Sequence, residues 1–131
     1  MLALKLLAAS GDQPGTLVFD EIDQGLGGDT AYRVGEKLLQ AAGHYQVFCI
    51  THLQQIAALA NHHFLVSKEK VGSRNLVKVD KLSESARKAE IARMLAGSKA
   101  GEAALQQAEE MLESQRSEKK LPLAAKSSKP K

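Results

Sequence analysis

Tryptophan is absent from the 131 residues, and two tyrosines and three phenylalanines are the only aromatic rings. So scattered a set forms no base-stacking platform of the kind that binds single-stranded nucleic acid. Cys49 is the single cysteine, which excludes a disulfide within the chain and gives no sign of an oxidising compartment. Its neighbours in Gln46-Val47-Phe48-Cys49-Ile50 suggest a small buried hydrophobe. No cysteine pair has zinc-ligand spacing, and adjacent His62 and His63 on a strand would point to opposite faces and share no ion. No apolar run approaches the roughly 18 residues that a membrane-spanning helix needs. Met1 to Ser10 lacks a basic start and is interrupted by Lys5, so an amphipathic helix over 2–9 is expected there in place of a secretory leader. The cytoplasm is the expected location.

What is present is ordinary in bulk, with 44% hydrophobic and 25% charged residues. The length suits one domain with a real core better than two. The net charge of +3 is unevenly placed, because six Lys/Arg residues from Arg116 onward face Glu118 alone. Such a tail suits phosphates or an acidic surface, although a solvated, disordered terminus is the simpler expectation. The expected division is a folded part over 1–113 and a disordered basic tail over 114–131.

The pattern along the chain predicts an α/β fold. After the turn-forming Asp12-Gln13-Pro14-Gly15, the run Leu17-Val18-Phe19 suits a strand buried on both faces. Gly25-Leu26-Gly27-Gly28 leads into a helix with Ala31, Val34, Leu38 and Ala41 at helical spacing, Asp29 as its cap and Gly43 at its end. Val47-Phe48-Cys49-Ile50 reads as a second buried strand, and Thr51-His52-Leu53-Gln54 has the form of a capping box. Two buried strands joined by one helix imply a parallel crossover in a covered sheet. Residues 63–69 and 74–80 predict a hairpin, followed by a helix from Ser83 to Gly97 with Ala89, Ile91, Met94 and Leu95 inward. A last helix from about Glu102 to Ser114 shows Leu105, Ala108, Met111 and Leu112 on one stripe.

Chemistry gathers where the parallel strands end. The first strand stops at Asp20-Glu21 and the second at Thr51-His52, and C-terminal ends of parallel strands open on one edge, where α/β folds bind ligands. A carboxylate there can hold Mg²⁺ through water, and a second can orient and deprotonate an attacking water. A histidine on the neighbouring strand can donate to a transferring phosphoryl group. Asp23 suits either orienting the base or holding the turn.

Thr16-Leu17-Val18-Phe19-Asp20-Glu21 resembles the Walker B segment of ABC-type and SMC-type ATPases. Gly25-Leu26-Gly27-Gly28-Asp29 stands where that superfamily has the loop crossing to a partner subunit, and Ile50-Thr51-His52 resembles its switch-histidine segment. Within the superfamily, those segments and Glu90-Ile91-Ala92-Arg93-Met94-Leu95-Ala96-Gly97 resemble the RecN family of bacterial DNA-repair proteins, over roughly Met1 to Leu112. The resemblance implies part of a P-loop NTPase head, with parallel strands first, then a hairpin and C-terminal helices. It implies Asp20 as the Mg²⁺-associated carboxylate, Glu21 as the general base and His52 as the γ-phosphate sensor. Gly25, Gly27, Gly28 and Asp29 would help form the nucleotide-sandwiching dimer interface. Gly27 replaces the aspartate usual in the wider superfamily, and Gln54 stands where most relatives carry proline.

No G-x-x-x-x-G-K-[ST] occurs in the sequence, and no sustained heptads mark coiled-coil arms. The chain therefore resembles the last segment of a larger protein. That protein would hydrolyse ATP with Mg²⁺ between two heads and act on DNA, at the nucleoid, in recombinational double-strand break repair. The expected partners are the remainder of the head, a second head and, through the whole protein, DNA, with no membrane. The isolated segment is expected to be inactive. Two other classes fit less well: a non-enzymatic truncated paralogue or DNA-binding module using the basic tail, and a transporter nucleotide-binding fragment, which Gly27 disfavours.

Overall fold

The computed structural model describes residues 15–119, so the helix expected over 2–9 and the tail beyond Lys119 lie outside the described residues. The elements run β1 (Thr16–Phe19), α1 (Gly28–Ala41), β2 (Gln46–Cys49), α2 (Gln54–Leu59), β3 (Phe64–Val71), β4 (Arg74–Lys81), α3 (Glu84–Ala96), a 3₁₀ turn (Gly97–Lys99) and α4 (Glu102–Lys119). The chain divides into two compact units between Leu82 and Ser83.

In the first unit, β1 and β2 pair in parallel, from Thr16 opposite Gln46 to Phe19 opposite Cys49, with α1 as the crossover. Phe19, Leu38 and Ile56 are buried together, with Leu17, Ile22, Val34, Val47, Cys49 and Leu53 packed around them. Alternation along a strand explains the membership: odd-numbered Leu17, Phe19, Val47 and Cys49 share the face that α1 and α2 cover. Burying Phe19 alone contributes roughly 2–3 kcal/mol.

The other face departs from expectation. Val18 is 61% exposed, Phe48 47% and Ile50 61%, so the sheet is covered on one side only, although the continuous apolar runs predict burial on both. Two strands with both helices packed against one face leave the second face bare among the described residues.

Helix α1 buries Ala31, Gly35, Leu38 and Ala41, three of them expected from the spacing. Gly35 is the addition. A Cβ there would overlap Leu59 Cδ1 and lie 3.5 Å from the Ile56 Cα, so the missing side chain lets α2 lie close against α1. Extended Gly27 occupies the cap position of α1 without a side-chain bond, and Asp29 sits in the first turn, where its charge still complements the helix dipole. Likewise α2 is capped by extended Leu53 with no side-chain bond, so Thr51-x-x-Gln54 is not a capping box.

The hairpin forms as expected, with Phe64 opposite Lys81 and Val71 opposite Arg74. Gly72, at φ 62°, opens its two-residue turn, where positive φ matches the strand twist.

In the second unit, Ser83 caps α3 by accepting from the Ala86 N–H at 3.3 Å, and Gly97 ends it at φ 74°. Ile91 and Ala92 are buried, with Met94 and Leu95 half-buried, whereas Ala89 faces solvent. Helix α4 buries Ala108 and half-buries Met111 and Leu112 as expected, but Ala104 and Gln115 complete the inward stripe and Leu105 is left exposed. It runs past Ser114 to Lys119, with exposed Arg116 paired to exposed Glu84 at 2.6 Å. Lys88 and Glu109 pair at 2.6 Å between the same two helices.

Candidate functional site

Parallel pairing brings the C-terminal ends of β1 and β2 to one edge. The Ile50 N–H donates to the Phe19 carbonyl at 2.9 Å, carrying the ladder to the last residue before each functional loop. Asp20 and Glu21 then leave β1 on the exposed side, while Ile22 turns back against the core and Asp23 is buried at 4% exposure. Glu21 makes this turn possible at a cost. Its φ of 53° is the one positive value at a non-glycine residue among the described residues, in a region that disfavours side chains. The Leu26 N–H closes the following turn on the Asp23 carbonyl at 3.1 Å. Gly25 (φ 73°) and Gly28 (φ 51°) take backbone conformations that suit glycine, and Gly25, Gly27, Gly28 and Asp29 are all exposed.

The two loops are joined by one carboxylate oxygen. Asp23 Oδ2 accepts from the Thr51 hydroxyl at 2.7 Å and from the His52 backbone N–H at 2.9 Å. His52 Nδ1 lies 2.9 Å from the same oxygen. Thr51 in turn accepts from the Leu53 N–H at 3.0 Å, so its hydroxyl both donates and accepts in shaping the turn. Burial works to raise the Asp23 pKa, but hydrogen bonds from Thr51, His52 and its own backbone, aided by the charge of His52, hold it below the usual carboxylate range. Burial, with a contribution from the Asp23 charge, pushes the Cys49 thiol up to about 11, which suits the inert packing role its sequence context suggests.

The structure thus sets Asp20, Glu21 and His52 on loops from neighbouring strand ends, and the direct link between the loops runs through Asp23. Asp23 and Thr51 are the residues that sequence reasoning left undecided or assigned elsewhere. The available signal was an acidic residue two positions past the Asp-Glu pair, set between an apolar residue and a glycine turn. His52 is held at its Nδ1, yet its side chain is 74% exposed, so the ring remains open to a ligand. Among the described residues no three His, Cys, Asp or Glu side chains gather as a metal-ligand set. A cation at this edge would rest on one or two carboxylates completed by water and phosphate oxygens, a donor set that fits Mg²⁺.

A parallel β-α-β unit with an exposed acidic strand end, and a fixed, exposed histidine just past the next strand, defines an α/β protein with its candidate site at the carboxyl edge of the strand pair. No family model matches the chain. Individual relatives do. The chain is 46% identical over 112 residues to the DNA repair protein RecN of Treponema pallidum, covering 86% of this chain and 20% of that protein. The RecN of Deinococcus radiodurans is 45% identical over 112 residues, 86% of this chain and 19% of that protein. The RecN of Streptomyces coelicolor is 40% identical over 119 residues, 91% of this chain and 21% of that protein. The matched stretch is RecN-family sequence, and the chain spans about a fifth of the length of the curated relatives it matches.

Proposed function

We propose that this chain is the C-terminal segment of a RecN-type ATPase head, acting in DNA repair, and that it supplies the hydrolytic edge of a site completed elsewhere. The observation that carries this reading is the coupling of the two strand-end loops through Asp23 Oδ2, in a chain that matches DNA repair proteins. Asp20 would hold Mg²⁺, through water; the ion, bound with ATP, neutralises phosphate oxygens. Glu21 would orient and deprotonate the attacking water. His52 would meet the γ-phosphoryl end, and Gly25 to Asp29 would face the second head.

The exposed face carrying Val18, Phe48 and Ile50 supports the reading, since a parallel sheet is ordinarily covered on both sides. On this account the remainder of the head lies against that face and contributes the phosphate-binding loop. DNA is then engaged by the assembled protein.

The test at the level of this segment is direct. The purified 131-residue chain should show no steady-state ATP hydrolysis. Turnover by the isolated chain that disappears in Glu21→Gln would contradict the proposal that the phosphate cradle lies outside it.

A further inference from the structure

A second assignment follows from the number of donors that converge on one atom. An ionised carboxylate accepts hydrogen bonds and donates none. Three nitrogen or oxygen atoms lie within 2.9 Å of Asp23 Oδ2: Thr51 Oγ1, the His52 backbone nitrogen and His52 Nδ1. The backbone nitrogen is a donor by nature, so the loop already presents its hydrogen-bond donors to Asp23. The third approach is a hydrogen bond only when Nδ1 carries the proton. Burial of Asp23 and the two other bonds fix the position of the oxygen, whereas the exposed ring has nothing else to hold its orientation among the contacts described.

We propose that Asp23 is a positioning residue that holds His52 in the Nδ1–H tautomer, so that the ring meets its ligand through Nε2. The inference rests on the reading of this edge as an ATP-hydrolysing site and assigns the part that His52 plays there. With Nδ1–H committed to Asp23, the neutral ring offers a bare Nε2, which accepts a hydrogen bond from the attacking water. Donation from Nε2 to a phosphoryl oxygen is open only to the doubly protonated ring, which then has the Asp23 carboxylate behind it. The sequence-based expectation that His52 donates to the phosphoryl group is thereby restricted to that one protonation state.

Long-range ¹H–¹⁵N correlation of the imidazoles in the full 131-residue chain, at a pH where they are neutral, reads the tautomer without any nucleotide. His52→Gln assigns the His52 signals by their loss. The expected result is a protonated Nδ1 and an unprotonated Nε2 at His52. Asp23→Asn should keep this pattern, because the amide oxygen must face the three donors, while Asp23→Ala should return His52 to the Nε2–H form that free neutral imidazoles favour. An Nε2–H tautomer in the unsubstituted chain would overturn the proposal, as would an unchanged Nδ1–H tautomer in folded Asp23→Ala. Should Asp23→Ala fail to fold, the unsubstituted chain decides alone. Because no nucleotide enters the measurement, a failed ATPase assay would remove the proposed function and leave this result standing, and the reverse also holds.

Discussion

Asp23 shows how much can rest on one buried oxygen. Its lowered pKa means that the folded state prefers the ionised form, so the carboxylate stabilises the fold above the ordinary aspartate value of about 3.9. That contribution is lost as the pH falls through the depressed value. Asp23→Asn should therefore cost about 1–3 kcal/mol at neutral pH, the range for weakening a buried, charge-assisted network. The gap between the two proteins should narrow steadily in acid, which urea unfolding across a pH series would measure. A constant gap would mean that the charge plays no part. Glu21 makes the complementary case, because its left-handed backbone is strained for any side chain. Glu21→Gly should raise stability by about 1 kcal/mol in the same unfolding assay, even though it removes the proposed general base. A loss of stability would show that the Glu21 side chain contributes to the fold. The placement of Asp20, Glu21 and His52 at neighbouring strand ends is legible in the sequence because they follow apolar runs. Asp23 is not, because its partners lie 28 and 29 residues away and only the folded loops bring them together.

At the scale of elements, periodicity carried most of the information. The parallel strands, the hairpin and the Ser83 to Gly97 helix stand where the alternation, the turn residues and the cap predict them. Helix starts were less legible. Asp29 and Thr51 are good capping residues by type, yet Gly27 and Leu53 hold the cap positions, and Thr51 is drawn to Asp23 instead. Tertiary bonding outweighed a local preference worth about 1 kcal/mol. In α4 the inward stripe runs through Ala104 and Ala108, whose small side chains suit a close neighbour, and on to Gln115, while larger Leu105 is left outside. The same reasoning makes Gly35 the sensitive point of α1. Gly35→Ala gains helix propensity but forces Leu59 from its buried position, and should destabilise by about 1–3 kcal/mol. A combined Gly35→Ala, Leu59→Ala chain should show non-additive losses in thermal or denaturant unfolding, because the first substitution fills space the second opens. Simple additivity would contradict the close contact between α1 and α2.

For the whole molecule, the bare sheet face is the finding that the sequence pattern alone misses. Continuous apolar runs at 17–19 and 47–50 encode burial on both sides, and the described residues supply cover for one. The relatives are about five times longer than the stretch they share with this chain, which accords with a proposal that the second layer and the phosphate cradle come from the rest of such a protein. No helix among the described residues is long and apolar enough to cross a membrane. The most direct test is ATP turnover by a head in which this segment is joined to the remaining portion of a RecN relative, compared with the same head carrying Glu21→Gln. The account predicts turnover in the first and a loss of at least about 100-fold in the second, the scale of a general base, with ATP binding retained. Turnover that is indifferent to Glu21→Gln would contradict the assignment of this strand edge as the hydrolytic part of the site.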